Sequence, residues 1–311
     1  MESRLIVSSS PHIRSSETTQ NIMRDVTIAL LPAAAFGVYN FGINAFIILA
    51  VSVLTAIIAE AISQKIRKVP ITINDFSAVV TGLLLGMNLP SSVPIWIPII
   101  GSAFAIIIVK QAFGGLGHNF MNPALAARAL LVASWPVEMT TWPTAGVDTT
   151  TSATILGIMK EGQVTELPSI MDALIGTVGG SIGETSALLL IIGGLYLIFR
   201  GVISYRIPVF YLGTFATLTL VITGFNVQET LLHVLAGGLM LGAFFMATDY
   251  ASSPITARGQ IIYAVGIGVI TVVIRFYGGY PEGVSYSILL MNVVAPIIDK
   301  YTKPRVFGGA K

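Results

Sequence analysis

The sequence contains no cysteine and very little charge. Without cysteine, this chain can form no disulfide, no thiolate nucleophile and no cysteine-ligated zinc or iron–sulfur centre. Only 10% of its 311 residues are charged, whereas soluble domains carry roughly 25%. With 54% hydrophobic residues, this composition excludes a soluble enzyme and a disordered chain. It indicates a polytopic membrane protein.

Basic and acidic residues are nearly balanced, and histidine is rare. Seventeen basic and 15 acidic residues leave a formal charge of +2, which is too small for nucleic-acid binding by a basic surface. The three histidines, His12, His118 and His233, are far apart in the sequence. We therefore expect no histidine metal cluster, no metal centre and no nucleic-acid partner.

Ten apolar stretches predict about ten transmembrane helices, because a helix needs about 20 apolar residues to cross a bilayer core about 30 Å thick. The stretches lie near 26–39, 43–63, 76–89, 95–113, 122–135, 185–199, 207–224, 230–248, 260–277 and 284–298. Several are short. Residues 76–89 give only about 21 Å of helix, so this piece must extend into polar residues or form a broken or re-entrant element.

The distribution of lysine and arginine predicts the orientation in the membrane. With the N-terminus inside, fourteen of the 17 basic residues fall on the inner side. The outer segments hold only Lys160 and Arg275, and Arg128 lies within the fifth stretch. Both termini are therefore expected to be cytoplasmic, with the chain in the cell membrane and in contact with lipid. No apolar core of a signal peptide precedes the first stretch, so the polar start is expected to be retained.

These patterns divide the chain into five predicted parts of an all-α membrane protein. The parts are a cytoplasmic tail (1–25), a first transmembrane half (26–135), an extracytoplasmic loop (136–183), a second transmembrane half (184–299) and a cytoplasmic C-terminal tail (300–311). The loop is the only long polar stretch. Long loops within compact proteins are usually functional.

The two halves carry similar segments. Residues 81–86 read T-G-L-L-L-G and residues 237–242 read G-G-L-M-L-G. Each is followed by a Ser-Ser turn and then by an apolar helix that ends in an aromatic residue and two glycines. Five spans in each half would make the repeats inverted, an arrangement that places a pathway between them. The alternative is chance similarity between glycine-rich helices, whose Gly-x-x-x-Gly pairs serve close packing.

Polar residues within the spans are the candidates for chemistry. Asp249 follows the eighth stretch, where an acid is either a proton relay or cation ligand or a helix-end carboxylate in water. Arg128 must either reach the interface or find a partner, such as a flavin or another anionic group. Asn122 lies in a glycine-rich break, where it either satisfies free backbone groups or helps to shape a cofactor or ion site.

Two further basic residues, Lys110 and Arg275, end apolar stretches in corresponding places of the two halves. This position is typical of interfacial anchors, whose charged ends reach the membrane surface. We therefore expect both side chains to be solvated.

The loop contains a short motif that resembles one in a known family. Residues 148–157 read D-T-T-T-S-A-T-I-L-G. Its run from Ser152 to Leu156 resembles the Ser/Thr-x-Ala-Thr-x-Leu flavinylation motif of the D subunit of the Rnf complex and the B subunit of the Na⁺-translocating NADH:quinone reductase. Three more segments, 10–42, 112–123 (A-F-G-G-L-G-H-N-F-M-N-P) and 245–254 (F-M-A-T-D-Y-A-S-S-P), are similar to the Rnf subunit in the same order.

The resemblance implies a subunit of an ion-translocating ferredoxin:NAD⁺ oxidoreductase, which is not catalytic alone. It implies that a flavin transferase attaches FMN to Thr154 through a phosphoester, with Ser152 and Leu156 belonging to the recognised motif. It also implies a non-covalent riboflavin, Rnf partner subunits of the G, C, E, A and B types, and export of Na⁺ or H⁺, for which Asp249 and Asn122 are the candidate pathway residues. Because the sequence indicates no nucleotide-binding fold and contains no cysteine, NAD⁺ and the iron–sulfur clusters are expected on partner subunits.

A passive channel or carrier is the alternative function. An inverted repeat by itself supports it, and the membrane fold of the family is similar to urea-transporter-like folds. Such a carrier has no reason to hold a covalent flavin, so cofactor content distinguishes the two hypotheses.

Overall fold

A computed structural model describes residues 17–142, 154–160, 168–184, 186–279 and 282–303. Within these ranges all regular secondary structure is helical, without a strand. The helices are α1 (Thr19–Ile66), α2 (Ser77–Met87), α3 (Trp96–Phe104, continued as a π-helix over Ala105–Gln111), α4 (Pro123–Ser134), α5 (Pro136–Thr140), α6 (Ile155–Lys160), α7 (Ile170–Ile175), α8 (Ala187–Phe199), α9 (Arg206–Ile222), α10 (Val227–Leu235), α11 (Leu239–Leu241, continued as a π-helix over Gly242–Met246), α12 (Ala257–Tyr277) and α13 (Val284–Thr302).

Helix α1 covers the first two apolar stretches and is interrupted between them. Gly42 has φ 72° and ψ −159°, far from helical values. An unbroken helix would place residues 22 and 60 roughly 57 Å apart. Instead, Lys110 binds Glu60 and lines the same cleft as Ile22. The chain therefore folds back at Gly42, and the prediction of two separate spans is confirmed.

The eighth apolar stretch is not one helix, and that part of the prediction is wrong. It consists of α10 and α11, which meet at a bend of 62°. Gly237 and Gly238 both have a φ of 68°, in the left-handed region that glycine adopts without steric cost. These two residues end one helix and reorient the next.

By length and composition, two described helices are apolar enough to cross a membrane: α12, and α1 with its two arms on either side of Gly42. The bent pair α10 and α11 makes a third if it is one span. Helices α2, α3 with its π-helical extension, α4, α8 and α9 are apolar but shorter. For α2, which covers most of residues 76–89, the sequence predicts this short length. Short and broken helices belong to membrane proteins where neighbouring protein segments satisfy the backbone groups that are exposed at each break.

Small residues set the packing between helices. A Cβ on Gly82 of α2 would lie 2.7 Å from the carbonyl oxygen of Ser52, and a Cβ on Gly193 of α8 would collide with the carbonyl oxygen of Ala29. Helix α1 packs on α2, α3 and α8, and α12 packs on α9 and α13, while α4 contacts α13 and joins the two halves. The inverted relation between the halves stays a prediction.

The long loop over 136–183, which the sequence predicts to be extracytoplasmic, has helical structure where it is described. Helix α7 begins with a capping box in which Ser169 and Asp172 bond to each other's backbone N–H groups. Hydrogen bonds from Ser169 hold the pKa of the Asp172 carboxyl below its usual value. The amide of Asn40 in α1 donates to the carbonyl of Gly176 at 2.8 Å, which ties the loop to the transmembrane helices.

Candidate functional site

Thr154 is the first described residue of the loop segment that carries the flavinylation motif, and it is half-buried. Its Oγ1 accepts a hydrogen bond from the backbone N–H of Gly157 at 3.1 Å. Thr154 therefore caps the short helix α6, as threonine commonly does. Ser152, which takes the variable position of the predicted motif, lies outside the described residues.

A cavity of about 400 Å³, counted with its open mouth, adjoins Thr154. Its walls include the Val178–Gly180 segment, the Leu235–Gly237 break and the carboxylates of Glu184 and Glu282. Leu156, the last residue of the motif, is 3% exposed and packs in a small apolar cluster with Ile155, Ala173, Leu232 and Ala236. The structure thus places the motif directly against the broken helix.

Arg128 has partners deep in the protein and does not extend to the interface. Its guanidinium donates to Glu184 Oε1 at 2.6 Å, to Asn88 Oδ1 at 2.5 Å and to Glu282. Arg128 is only 5% exposed. Of the two alternatives for this arginine, the partnered one is confirmed, and the partners are two carboxylates and an amide of this chain.

The break between α10 and α11 brings backbone close to this cluster. A Cβ on Gly238 would collide with the Glu184 carboxylate, so glycine is needed there both for its positive φ and for the close approach. The close contact at Gly238 is thus with a carboxylate, whereas Gly242, four residues later, packs against the side chain of Val284 in α13.

Lys110 and Arg275 are buried at 2% and 4% exposure, so the prediction that they are solvated interfacial anchors is wrong. The Lys110 ammonium lies 2.8 Å from Glu60 Oε1 and donates to Ser77 Oγ at 2.6 Å. The Arg275 guanidinium donates to the carbonyls of His233 at 2.5 Å and Glu282 at 3.1 Å. Buried charges need such partners because desolvation of an isolated ion is prohibitive.

A second, larger cleft lies at the opposite end of α4. It encloses about 740 Å³ with its mouth, and its walls are apolar on one side, where Leu84, Phe244 and Phe245 contribute. Its polar lining residues are Ser77, Thr81, Lys110, Asn119, Asn122, Thr248, Asp249 and Tyr250. Helix α4 begins at this cleft with Asn122 and ends near the outer loop, with Arg128 between them.

Asp249 and Asn119 are brought together at the cleft, although 130 residues separate them in the sequence. Asp249 Oδ2 accepts from Asn119 Nδ2 at 3.3 Å and from the Ser252 hydroxyl at 2.8 Å. The carboxylate is half-buried and lines the cleft. It is thus positioned to face whatever enters from this side.

Asn122 joins the two halves of the protein. Its Oδ1 caps α4 by accepting from the N–H groups of Ala124 and Leu125, and its Nδ2 donates to the Met246 carbonyl at 3.3 Å. Its own N–H donates to Asn292 of α13 at 3.1 Å. With this set of bonds, Asn122 connects the start of α4 to Met246 and to α13 at the floor of the cleft.

The described residues thus form a buried polar centre of Arg128, Glu184, Glu282 and Asn88. It borders the cavity beside Thr154 and a further cavity lined by Trp142, and the cleft of Asp249 lies at the other end of α4. Comparison with known proteins identifies the family. The family described as "NQR2, RnfD, RnfE family" matches residues 6–308. The chain belongs to this family. The resemblance inferred from the sequence motifs is thereby confirmed over nearly the whole length.

Curated relatives within this family are similar along their full length. The chain is 57% identical to the D subunit of the Na⁺-translocating ferredoxin:NAD⁺ oxidoreductase complex of Acetobacterium woodii, with 100% of this chain and 97% of the relative covered. It is 49% identical to the D subunit of the proton-translocating ferredoxin:NAD⁺ oxidoreductase complex of Clostridium ljungdahlii (97% and 96% covered). It is 39% identical to the D subunit of the ion-translocating oxidoreductase complex of Halorhodospira halophila (96% and 94% covered). These names agree with the expectation of one subunit of a larger oxidoreductase.

Sequence reasoning missed four polar residues that pair with the buried cations: Asn88, Glu184, Glu282 and Glu60. Arg128 and Lys110 were the available signals, because a basic residue in a span requires a partner. The partners of Arg128 lie 40, 56 and 154 residues away in the sequence. No local pattern identifies them.

Proposed function

We propose that this chain is the D-type membrane subunit of an ion-translocating ferredoxin:NAD⁺ oxidoreductase, and that it carries FMN on Thr154 and couples electron transfer to export of Na⁺ or H⁺. The full-length relationship to two subunits of that name carries this proposal. The chain lies in the cytoplasmic membrane with both termini inside, as the distribution of basic residues favours. Partner subunits supply the NAD⁺ site and the iron–sulfur clusters.

The residues around Thr154 fit a flavin phosphate attached to its Oγ1. The hydroxyl is at the N-terminus of α6, where free backbone N–H groups and the helix dipole favour a negative group. The adjacent cavity has glycine and aliphatic walls at Gly179, Gly180 and Leu235, which suit a flat ring. The Glu184 and Glu282 carboxylates in the same lining are both paired with Arg128. When bound, flavin supplies electron transfer in one- or two-electron steps, while the protein supplies position and electrostatics.

The inner cleft is our candidate for the non-covalent riboflavin. Its apolar wall at Phe244 and Phe245 suits the faces of an aromatic ring, and the Asn119 amide and Thr248 hydroxyl suit the polar ring edge. Extraction of the folded complex with denaturant should release riboflavin and leave FMN on the chain. A flavin transferase is the partner required for the covalent attachment.

We propose Asp249 as the ion-pathway carboxylate on the inner side and Asn122 as the residue that shapes the floor below it. The carboxylate lines the cleft and is held by Asn119 and Ser252. Carboxylates near membrane helices serve as proton relays or cation ligands. In this chain, the bonds of Asp249 leave it fixed at the mouth of the cleft.

Neutralisation of Asp249 is expected to reduce the number of ions moved per electron. For Asp249→Asn in the assembled complex, we expect a several-fold lower ratio of ion uptake into vesicles to ferredoxin oxidised, because the amide carries no charge and offers no exchangeable acid proton. Asp299→Asn is the matched control, since Asp299 is an acid that caps Ile255 on the same side and is not part of the cleft lining. An unchanged ratio in Asp249→Asn would remove this residue from the pathway.

Intact mass of the chain tests the redox proposal as a whole. The chain produced with its partner subunits and the flavin transferase should be heavier by one esterified FMN and should fluoresce after denaturation. A chain of unmodified mass would instead favour the passive channel or carrier, for which the two openings of the structure are the supporting observation.

A further inference from the structure

Helix α6 is clamped against the break between α10 and α11. Leu156 points at Gly237 so closely that any Cβ on that glycine would collide with the leucine side chain. Leu156 also contacts the cluster of Leu232, Ala236 and Ala173, and the Lys160 ammonium donates to the carbonyl of Gly278 at 2.5 Å. The clamp therefore has an apolar anchor at one end of α6 and a hydrogen bond at the other.

The same clamp covers the residues that a modifying enzyme must reach. Ile155 and Leu156, which directly follow Thr154, are 6% and 3% exposed. The Thr154 hydroxyl is at the same time engaged as the cap of α6. A transferase has to surround the hydroxyl and its neighbours to bring an activated phosphate in line with Oγ1. In the docked arrangement, residues of α7 and α10 cover Ile155 and Leu156 on that side.

We propose that Thr154 is esterified while α6 is undocked, and that insertion of Leu156 against Gly237 afterwards locks the flavin-bearing segment onto the broken helix. This inference rests on the proposed function. In the reaction, the Thr154 Oγ1–phosphorus bond forms and the pyrophosphate bond of a flavin dinucleotide breaks. The nucleoside monophosphate leaves, and the hydroxyl proton passes to a base of the transferase. No net oxidation or reduction occurs.

Leu156 and Gly237 are then positioning residues with opposite effects on the two stages. Weaker docking increases the fraction of time for which the segment is open, and modification of a folded chain is limited by that fraction. After modification, the same weakening leaves the flavin-bearing segment less well fixed. A residue with a merely structural role would not accelerate the modification.

The test uses folded chain made without the transferase and then incubated with transferase and FAD, with in-gel flavin fluorescence followed over time. We expect Gly237→Ala and Leu232→Ala to be modified about tenfold faster than wild type, because each weakens the contact around Leu156. Gly224→Ala is the matched control, since Gly224 also has a positive φ, 64°, but has open space where a Cβ would lie. It should react at the wild-type rate.

Trypsin cleavage after Lys160 gives a second readout that does not involve the transferase. It should be faster in Gly237→Ala and Leu232→Ala than in wild type and Gly224→Ala, because the protease also needs an undocked segment. Two variants are used because they weaken the clamp in different ways, one by steric collision and the other by loss of apolar contact. Gel filtration of each variant confirms that the chain being compared is folded.

The outcomes separate this inference from the proposed function. If the folded wild type is modified and cleaved as rapidly as both variants, docking does not restrict access and the inference is wrong, while Thr154 remains the flavin site. If wild type produced together with the transferase carries no flavin, the proposed function itself fails. Faster modification and faster cleavage in the variants, with Gly224→Ala unchanged, support the inference.

Discussion

Thr154→Val is expected to yield a chain with no covalent flavin, measured as complete loss of flavin fluorescence in denaturing gels and loss of the FMN mass increment. Valine has nearly the shape of threonine but no hydroxyl to esterify. The variant also loses the cap of α6, a hydrogen bond at 3.1 Å, which costs about 1 kcal/mol at a typical helix N-terminus. This cost is too small to unfold the protein.

A second variant separates the cap from the modification. Asparagine is an effective N-cap, so Thr154→Asn should keep α6 capped while removing the esterifiable hydroxyl. Both variants should assemble into the complex and should fail to support ferredoxin-dependent NAD⁺ reduction. Thr140→Val is the control, because Thr140 also lies in the outer loop, with its hydroxyl bonded to its own helix. Wild-type fluorescence in Thr154→Val would show that the flavin is attached to another residue.

Arg128→Ala is expected to cause the largest loss of stability of any single substitution in the polar centre. It leaves the Glu184 and Glu282 carboxylates without their cation in a site where Arg128 and Glu184 are almost fully buried. Removal of one partner from a buried ion pair costs about 3–5 kcal/mol. We expect a strong decrease in the yield of folded chain and in the midpoint of thermal unfolding in detergent.

If the unpaired carboxylates cause the loss of stability in Arg128→Ala, removing their charges as well should restore it. The triple variant Arg128→Met, Glu184→Gln and Glu282→Gln removes all three charges at similar volume, and it should recover most of the stability, since neutral replacement of a buried ion cluster is often tolerated. Arg128→Lys should recover less, because a lysine ammonium cannot reproduce the planar fork that reaches three acceptors. Arg206→Ala, which removes an arginine that lies over the Tyr205 ring at 5.4 Å, is the control. Equal stability of Arg128→Ala and Arg206→Ala would contradict the assignment.

The transported ion is a separate question. Two relatives of nearly the same length are named for different ions, Na⁺ and H⁺. The family relationship therefore leaves the ion open. In this chain, the Arg128 cluster borders the cavity of Thr154 on one side, while Asp249 lines the cleft on the other. Ion uptake with Na⁺ and without it, in wild type and Asp249→Asn, would identify the ion.

The sequence by itself determined the class of the protein and the positions of its helices. Composition and apolar runs depend on the sum of many side-chain transfer energies, which a linear sequence contains in full. For this reason nine of the ten apolar stretches coincide with helices or helix arms, and the fold-back falls at Gly42, between two of them. The family motifs were also recognisable, because each is a short string of neighbouring residues in the sequence.

Only the tertiary structure decided which polar groups are paired and how deeply each is buried. Arg275 and Lys110 look like interfacial anchors in the sequence. The sequence at the end of an apolar run does not show whether water or other helices surround the charged side chain there. Their burial depends on distant segments, such as His233 in α10 for Arg275 and Glu60 in α1 for Lys110. Electrostatic pairing acts through space over a few ångströms, and only the packing of the helices brings these groups within that distance.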